Sequence, residues 1–290
     1  MRTPLFTGAC TALVTPFVNG KVSLVMLEKL LQRQMDAGIG TVVLCGTTGE
    51  SPTLSDDEKL CIFRHAKECC GTGCTILAGT GSNATRHAME LSQAAEEAGA
   101  DGLLVVSPYY NKATPDGLYS HYRAIAASVH IPLIIYNVPG RTGVDIPVSV
   151  YQKLSRIPNI AGVKEASTDI TKVGRIIAAC GDTFAVWSGN DDMTVPVISL
   201  GGCGVISVSS NIVPEKMQAM THAALAGNFR SAAAMQLELI PLTDLLFCEV
   251  NPIPVKAAMR LLGYDCGNCR MPLTPLLPEH EEKLRQILLT

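Results

Sequence analysis

Short apolar runs alternate with longer stretches of helical spacing along most of the chain. Residues 9–14 form an apolar run. Residues 23–37 then set Leu24, Leu27, Leu31 and Met35 on one helical face, with Ser23 placed to cap it. Gly38 and Gly40 end that helix, and 41–45 reads as a strand. Ser55, followed three residues later by Glu58, is a capping box, so a second helix runs from there to about Cys69. The same beat predicts strands at 74–78, 102–106, 132–137, 160–164, 184–188 and 204–207. Helices are predicted at 84–98, 116–128, 147–155, 170–180, 193–200 and 215–226.

These strands are apolar nearly throughout instead of alternating, as parallel strands covered by helices on both faces are. Eight strand–helix units predict an α/β fold of the (β/α)8 TIM-barrel type. A doubly wound dinucleotide-binding sheet needs a Gly-rich turn after its first strand, which residues 15–20 do not supply. The 79–83 segment, Gly-Thr-Gly-Ser-Asn, lacks the lysine of a P-loop. Beyond the eighth unit the rhythm stops. Three helices are predicted at 228–247, 254–262 and 279–289, with Pro252, Pro254, Pro272, Pro275 and Pro278 at their joints. The expected organisation is a catalytic barrel over 1–227 and a C-terminal helical extension over 228–290 packed on it.

Composition narrows the function classes. Hydrophobic residues make up 47% and charged residues 17%, which excludes a mainly disordered chain. A net charge of −3 argues against a nucleic-acid binder. No uncharged apolar stretch is long enough for a membrane span, and no export leader is expected from the start, Met-Arg-Thr-Pro-Leu-Phe. Eleven cysteines, an odd number without an export signal, read mostly as small buried hydrophobes in a reducing, cytoplasmic compartment. Cys266 and Cys269 have redox or metal spacing, but no second ligand pair lies near them.

In a barrel of this type the active site lies at the C-terminal ends of the strands. Lys164 ends an apolar run there. An ammonium is expensive to desolvate, so an amine at that place is a candidate Schiff-base nucleophile; pairing with adjacent Glu165 is the alternative. Lys29, Lys59, Lys67 and Lys172 lie in predicted helices and are expected to be solvent-exposed. Tyr136 ends the neighbouring strand, and Tyr110 and Thr48 end other elements, where hydroxyls can pass protons. Arg141, in a Gly-bounded loop, suits a carboxylate clamp or a surface salt bridge. Asp191 and Asp192 are expected to cap the next helix. The six histidines lie away from the strand ends, which argues against a metal-dependent aldol or hydrolytic site.

Taken together, Gly46-Thr47-Thr48-Gly49-Glu50, Tyr136-Asn137-Val138-Pro139, Arg141-Thr142-Gly143 and Val163-Lys164-Glu165-Ala166 resemble the 4-hydroxy-tetrahydrodipicolinate synthase (dihydrodipicolinate synthase) family of pyruvate-dependent class I aldolases. The resemblance covers the whole chain. It implies condensation of pyruvate with L-aspartate 4-semialdehyde at the start of the diaminopimelate–lysine pathway, with no cofactor and no metal. A sister aldolase acting on N-acetylneuraminate or a 2-keto-3-deoxy sugar acid is the alternative. Lys164 would form the Schiff base and Tyr136 would move the proton, in relay with Thr48 and with Tyr110 of a neighbouring subunit. Thr47 and Thr48 would hold the pyruvate carboxylate, Gly189 and the Ile206 carbonyl would line the pocket, and Arg141 would bind the semialdehyde carboxylate. A homotetramer built from tight dimers is implied, with no nucleic-acid or membrane partner. The family's allosteric lysine pocket would involve Ser51, Pro52, Asp56, Lys59, Asn83, His87 and Tyr109. Lys59 and His87 stand where lysine-sensitive members carry His and Glu, so weak feedback inhibition is expected.

Overall fold

The structure, a computed structural model, describes residues 3–289. The outermost positions of the two expected segments, 1–2 and 290, lie outside it. Eight parallel strands close into a barrel: β1 (Gly8–Ala12), β2 (Thr41–Leu44), β3 (Thr75–Gly79), β4 (Gly102–Val106), β5 (Leu133–Asn137), β6 (Ile160–Glu165), β7 (Ala185–Ser188) and β8 (Gly204–Ser207). Each pairs with its neighbours in chain order, and β8 returns to β1. The helices that follow them are α1 (Leu24–Asp36), α2 (Asp56–Cys70), α3 (Thr85–Glu97), α4 (Pro115–Ser128), α5 (Val148–Leu154), α6 (Ile170–Cys180), α7 (Thr194–Ser199) and α8 (Pro214–Leu225). Ser23 caps α1, and both hydrogen bonds of the Ser55–Glu58 capping box start α2.

Alternation within each strand builds two apolar layers. Inward-facing Cys10, Val43, Leu77, Leu104, Ile134, Trp187 and Ile206 fill the barrel, while Val42, Ile76, Leu103, Ile135 and Val163 face the helices. Phe6 stacks on Trp187 at 4.8 Å between ring centroids, and Trp187 Nε1 donates to the Phe6 carbonyl (3.2 Å). Burying each such aliphatic side chain contributes about 2 kcal/mol, so the apolar strands specify a sheet covered on both faces.

Three features were not predicted. Phe17–Val18 and Lys21–Val22 form a small antiparallel pair before α1. Pro139–Thr142 forms a single helical turn after β5. The second strand ends at Leu44, because Cys45 turns into left-handed backbone (φ 54°). Past α8, the extension comprises α9 (Phe229–Leu246), α10 (Ile253–Leu261) and α11 (Pro278–Leu289); α9 lies along α8, and α10 and α11 pack on each other. Among the described residues no helix is long and apolar enough to cross a membrane.

Candidate active site

Gly162 is the inward-facing residue one turn of the pleat below Lys164. A Cβ there would lie 2.0 Å from the Ala185 carbonyl oxygen, so glycine lets β6 and β7 approach. A register shift between Leu133 and Ile134 moves β6 by one residue against β5: Leu133 faces Ile160, but Ile134 faces Gly162 and Tyr136 faces Lys164. Without that bulge Tyr136 would face Val163, whose side chain points the other way. Lys164 is 5% exposed, and its Nζ lies 4.4 Å from the centroid of the Tyr136 ring.

Glu165 does not pair with Lys164, because consecutive strand residues point to opposite faces. Its carboxylate accepts from Asn137 Nδ2 (2.8 Å), the Ser167 N–H (2.8 Å) and Tyr151 Oη (3.3 Å), and Lys172 Nζ lies 3.8 Å away. Lys172 also pairs with Asp145. Lys172 and Lys59 are therefore buried, against the expectation of solvent exposure for both. Helical position predicted exposure, but Lys172 reaches carboxylates on other elements and Lys59 reaches Asp56 one turn back on α2. Lys164 makes no ion pair among the described residues.

A cavity of about 350 Å³ opens at the C-terminal ends of the strands. Thr47, Tyr136 and Arg141 line it, together with Ser51, Pro52 and Tyr109. Arg141 makes no salt bridge among the described residues; its Nη2 donates to the Asn251 carbonyl (3.0 Å). Thr48 is buried, and its Oγ1 accepts from Asn251 Nδ2 (3.0 Å). Gly189 follows β7, where a Cβ would meet Ala166 Cβ at 2.5 Å, and its N–H donates to the Glu165 carbonyl (2.7 Å). Ile206 lies in the barrel interior beneath the mouth. Neither Gly189 nor Ile206 lines this cavity. Tyr110 is 90% exposed, held at φ 72°, and does not line it.

The remaining residues of the expected allosteric set divide. His87 Nε2 and Asp56 Oδ2 are 2.8 Å apart, and Lys59 Nζ reaches Asp56 Oδ1 (3.3 Å). Burial works to raise the Asp56 carboxyl, but the His87 bond and the Lys59 charge outweigh it and hold it below the usual carboxylate range. Asn83 contributes a carbonyl that accepts from Asn111 Nδ2 (2.9 Å).

Asp191 does not cap a helix. It is buried, and its Oδ2 accepts from the N–H groups of Val208 and Ser209 (both 3.0 Å), tying the end of β7 to the loop after β8. Burial pushes its carboxyl up, against the bonds from Ser207, Ser209 and Val208. All eleven cysteines are free, five of them buried, three half-buried and three exposed. Burial pushes the Cys266 thiol to about 11 and, with Glu50, the Cys269 thiol to about 12. Among the described residues one grouping has metal-ligand chemistry: Glu28, His65 and Cys69 on α1 and α2, outside the cavity, with ligand atoms within 4.8 Å of one another.

Asn251 was missed from the sequence, as was Lys256, which forms an ion pair with Glu50 (2.7 Å) deep beside the cavity. Both lie in the extension, where no strand end pointed to them. Pro252 after Asn251 marked only a joint.

Residues 5–290 match the model of the dihydrodipicolinate synthetase family. The chain is 47% identical to the 4-hydroxy-tetrahydrodipicolinate synthase of Acetivibrio thermocellus, over 99% of this chain and 98% of that one. Its fold matches the crystal structure of dihydrodipicolinate synthase from Aquifex aeolicus with a TM-score of 0.96 at 44% identity, covering 98% of this chain and 97% of the other. The pyruvate complex of the chloride-inhibited Acinetobacter baumannii enzyme matches equally, with a TM-score of 0.96 at 42% identity over 98% of both chains. The Cyanidioschyzon merolae enzyme with lysine bound also has a TM-score of 0.96, at 40% identity over 99% of this chain and 98% of that one.

Proposed function

The chain belongs to the dihydrodipicolinate synthetase family, and on that premise we propose that Lys164 is the amine that carries pyruvate through its reaction. The reaction is the condensation of pyruvate with L-aspartate 4-semialdehyde to give 4-hydroxy-tetrahydrodipicolinate, the first committed step of the diaminopimelate route to lysine. The observation that carries the assignment is the pairing of Tyr136 with Lys164 across β5 and β6, which sets the buried amine beside a phenol that lines the cavity.

Lys164 Nζ adds to the pyruvate carbonyl carbon, and loss of water leaves a protonated imine. The imine withdraws electrons from the pyruvate methyl, whose proton leaves to give an enamine. That carbon attacks the semialdehyde carbonyl carbon, and the new alkoxide takes a proton. Tyr136 accepts and returns these protons, in relay with Thr48 and Tyr110 of the partner subunit. The semialdehyde amine then adds to the imine carbon, closes the six-membered ring and expels Lys164 Nζ. Thr47 and Thr48 hold the pyruvate carboxylate, Gly189 and the Ile206 carbonyl serve the site from behind the cavity's lining, and Arg141 takes the semialdehyde carboxylate.

The assembly is a homotetramer of tight dimers. The outward, left-handed placement of Tyr110 supports a role in a neighbour's site. Residues 1–227 are the catalytic unit and 228–290 its supporting extension. On this family reading the enzyme works in the reducing cytoplasm. A coupled assay tests the function: turnover is expected with pyruvate and aspartate semialdehyde. Cleavage of N-acetylneuraminate or a 2-keto-3-deoxy sugar acid, with no condensation, would refute it.

A further inference from the structure

Glu50 ends the Gly-Thr-Thr-Gly-Glu segment, yet it takes no part in the chemistry above. Its carboxylate is buried, and each oxygen is fastened to a different part of the extension. Oε1 accepts from Lys256 Nζ on α10 (2.7 Å), and Oε2 accepts from the Arg270 backbone N–H (2.8 Å). Lys256 is 1% exposed; its Nζ also donates to the Asn268 carbonyl (3.2 Å) and lies 4.2 Å from the Phe17 ring centroid. Two residues before α10, Asn251 donates to Thr48 Oγ1 (3.0 Å). One short stretch of the extension thus grips the loop after β2 at both Thr48 and Glu50.

The loop needs gripping. Its two ends, Cys45 (φ 54°) and Glu50 (φ 57°), both sit in left-handed backbone. Non-glycine residues hold that conformation only where the surroundings fix it. A buried ion pair is a poor way to gain stability, because removing both charges from water costs about as much as their attraction returns. It does fix direction and distance, which a slippery apolar contact does not.

We propose that Glu50 and Lys256 are a positioning pair: they set the Thr47–Thr48 loop, through its strained end, at the place where it receives the pyruvate carboxylate. The C-terminal extension is then part of the pyruvate site, although none of these anchors touches the reacting atoms. The inference rests on the assignment of Thr47 and Thr48 made under the proposed function.

The test uses the full-length enzyme and three measurements: pyruvate KM, semialdehyde KM, and the rate at which borohydride traps pyruvate on the protein. Single neutral variants leave one buried charge unpaired and are prone to misfold. The double variant E50Q/K256M removes both charges, and E50D keeps the pair but shortens its reach. For whichever of the two folds, pyruvate KM is expected to rise at least tenfold and trapping to slow in proportion, with semialdehyde KM within twofold of wild type. A folded E50D or double variant with wild-type pyruvate KM overturns the pair's role. So does a loss in which both KM values stay unchanged and activity merely follows the folded fraction. If the wild-type enzyme itself fails to condense the two substrates, the functional reading falls instead, and the two failures are told apart by that control.

Discussion

Tyr136 and Lys164 are register partners on neighbouring parallel strands, with the lysine amine 4.4 Å from the centroid of the tyrosine ring. The pairing depends on the one-residue shift between β5 and β6. A phenol so placed can serve the imine carbon's neighbour without a diffusing base. Y136F should leave the fold intact and lower kcat by about 100-fold or more, the range of general acid–base catalysis. Steady-state kinetics checks this, and a Y136F enzyme within threefold of wild type, roughly the scatter of such contributions, would remove Tyr136 from the mechanism.

Gly162 lets β6 lie against β7 on the other side of Lys164's strand, because a methyl group there would collide with the Ala185 carbonyl at 2.0 Å. Backbone cannot swing aside as a long side chain can. G162A should cost about 3 kcal/mol or more of stability, as overpacked cores do. Thermal unfolding checks this; a melting temperature within about 2 °C of wild type would contradict it.

His121 supplies a pH dependence outside the active site. Burial lowers its pKa from 6.5 to about 4, with Thr85 Oγ1 2.9 Å from Nδ1. The unfolded chain therefore binds a proton that the folded chain refuses between those values. The associated stability is present above pH 6.5 and is lost as pH falls toward 4. The order of magnitude is about 3 kcal/mol. Urea unfolding across this window should show wild type losing more stability than H121L. Parallel losses in the two proteins would contradict it.

If the Lys59–Asp56–His87 cluster is the family's lysine pocket, as the resemblance implies, its charges predict how this enzyme answers lysine. Lys59 already satisfies Asp56 and adds a fixed cation where a cationic ligand would bind. Free lysine should inhibit only above about 1 mM at saturating pyruvate, the weak regime expected when like charges meet. A sub-millimolar inhibition constant would contradict this.

The barrel was legible because its signal is local. Apolar strands, Ser23 and the Ser55–Glu58 box each declare an element within a few residues, and β4, α6 and β8 fall where the periodicity put them. The gathering of Tyr136 and Arg141 at one cavity, with Lys164 beside Tyr136, was legible because strand ends in a barrel converge. What stayed hidden was long-range pairing. Lys256 and Asn251 reach residues more than two hundred positions away, and no local spacing encodes that. Lys172 and Asp191 were misread for the same reason: helical position predicts solvent or a cap, and a partner on another element decides otherwise. Lys59 differs, since its carboxylate partner Asp56 lies one turn back on the same helix.

The imine on Lys164 is the central claim, and intact-mass spectrometry after pyruvate and borohydride, followed by peptide mapping, tests it most directly. The account predicts one reduced pyruvate adduct per chain, on the peptide carrying Lys164, and none in K164A. An adduct on another lysine, or no adduct on folded enzyme, would contradict it.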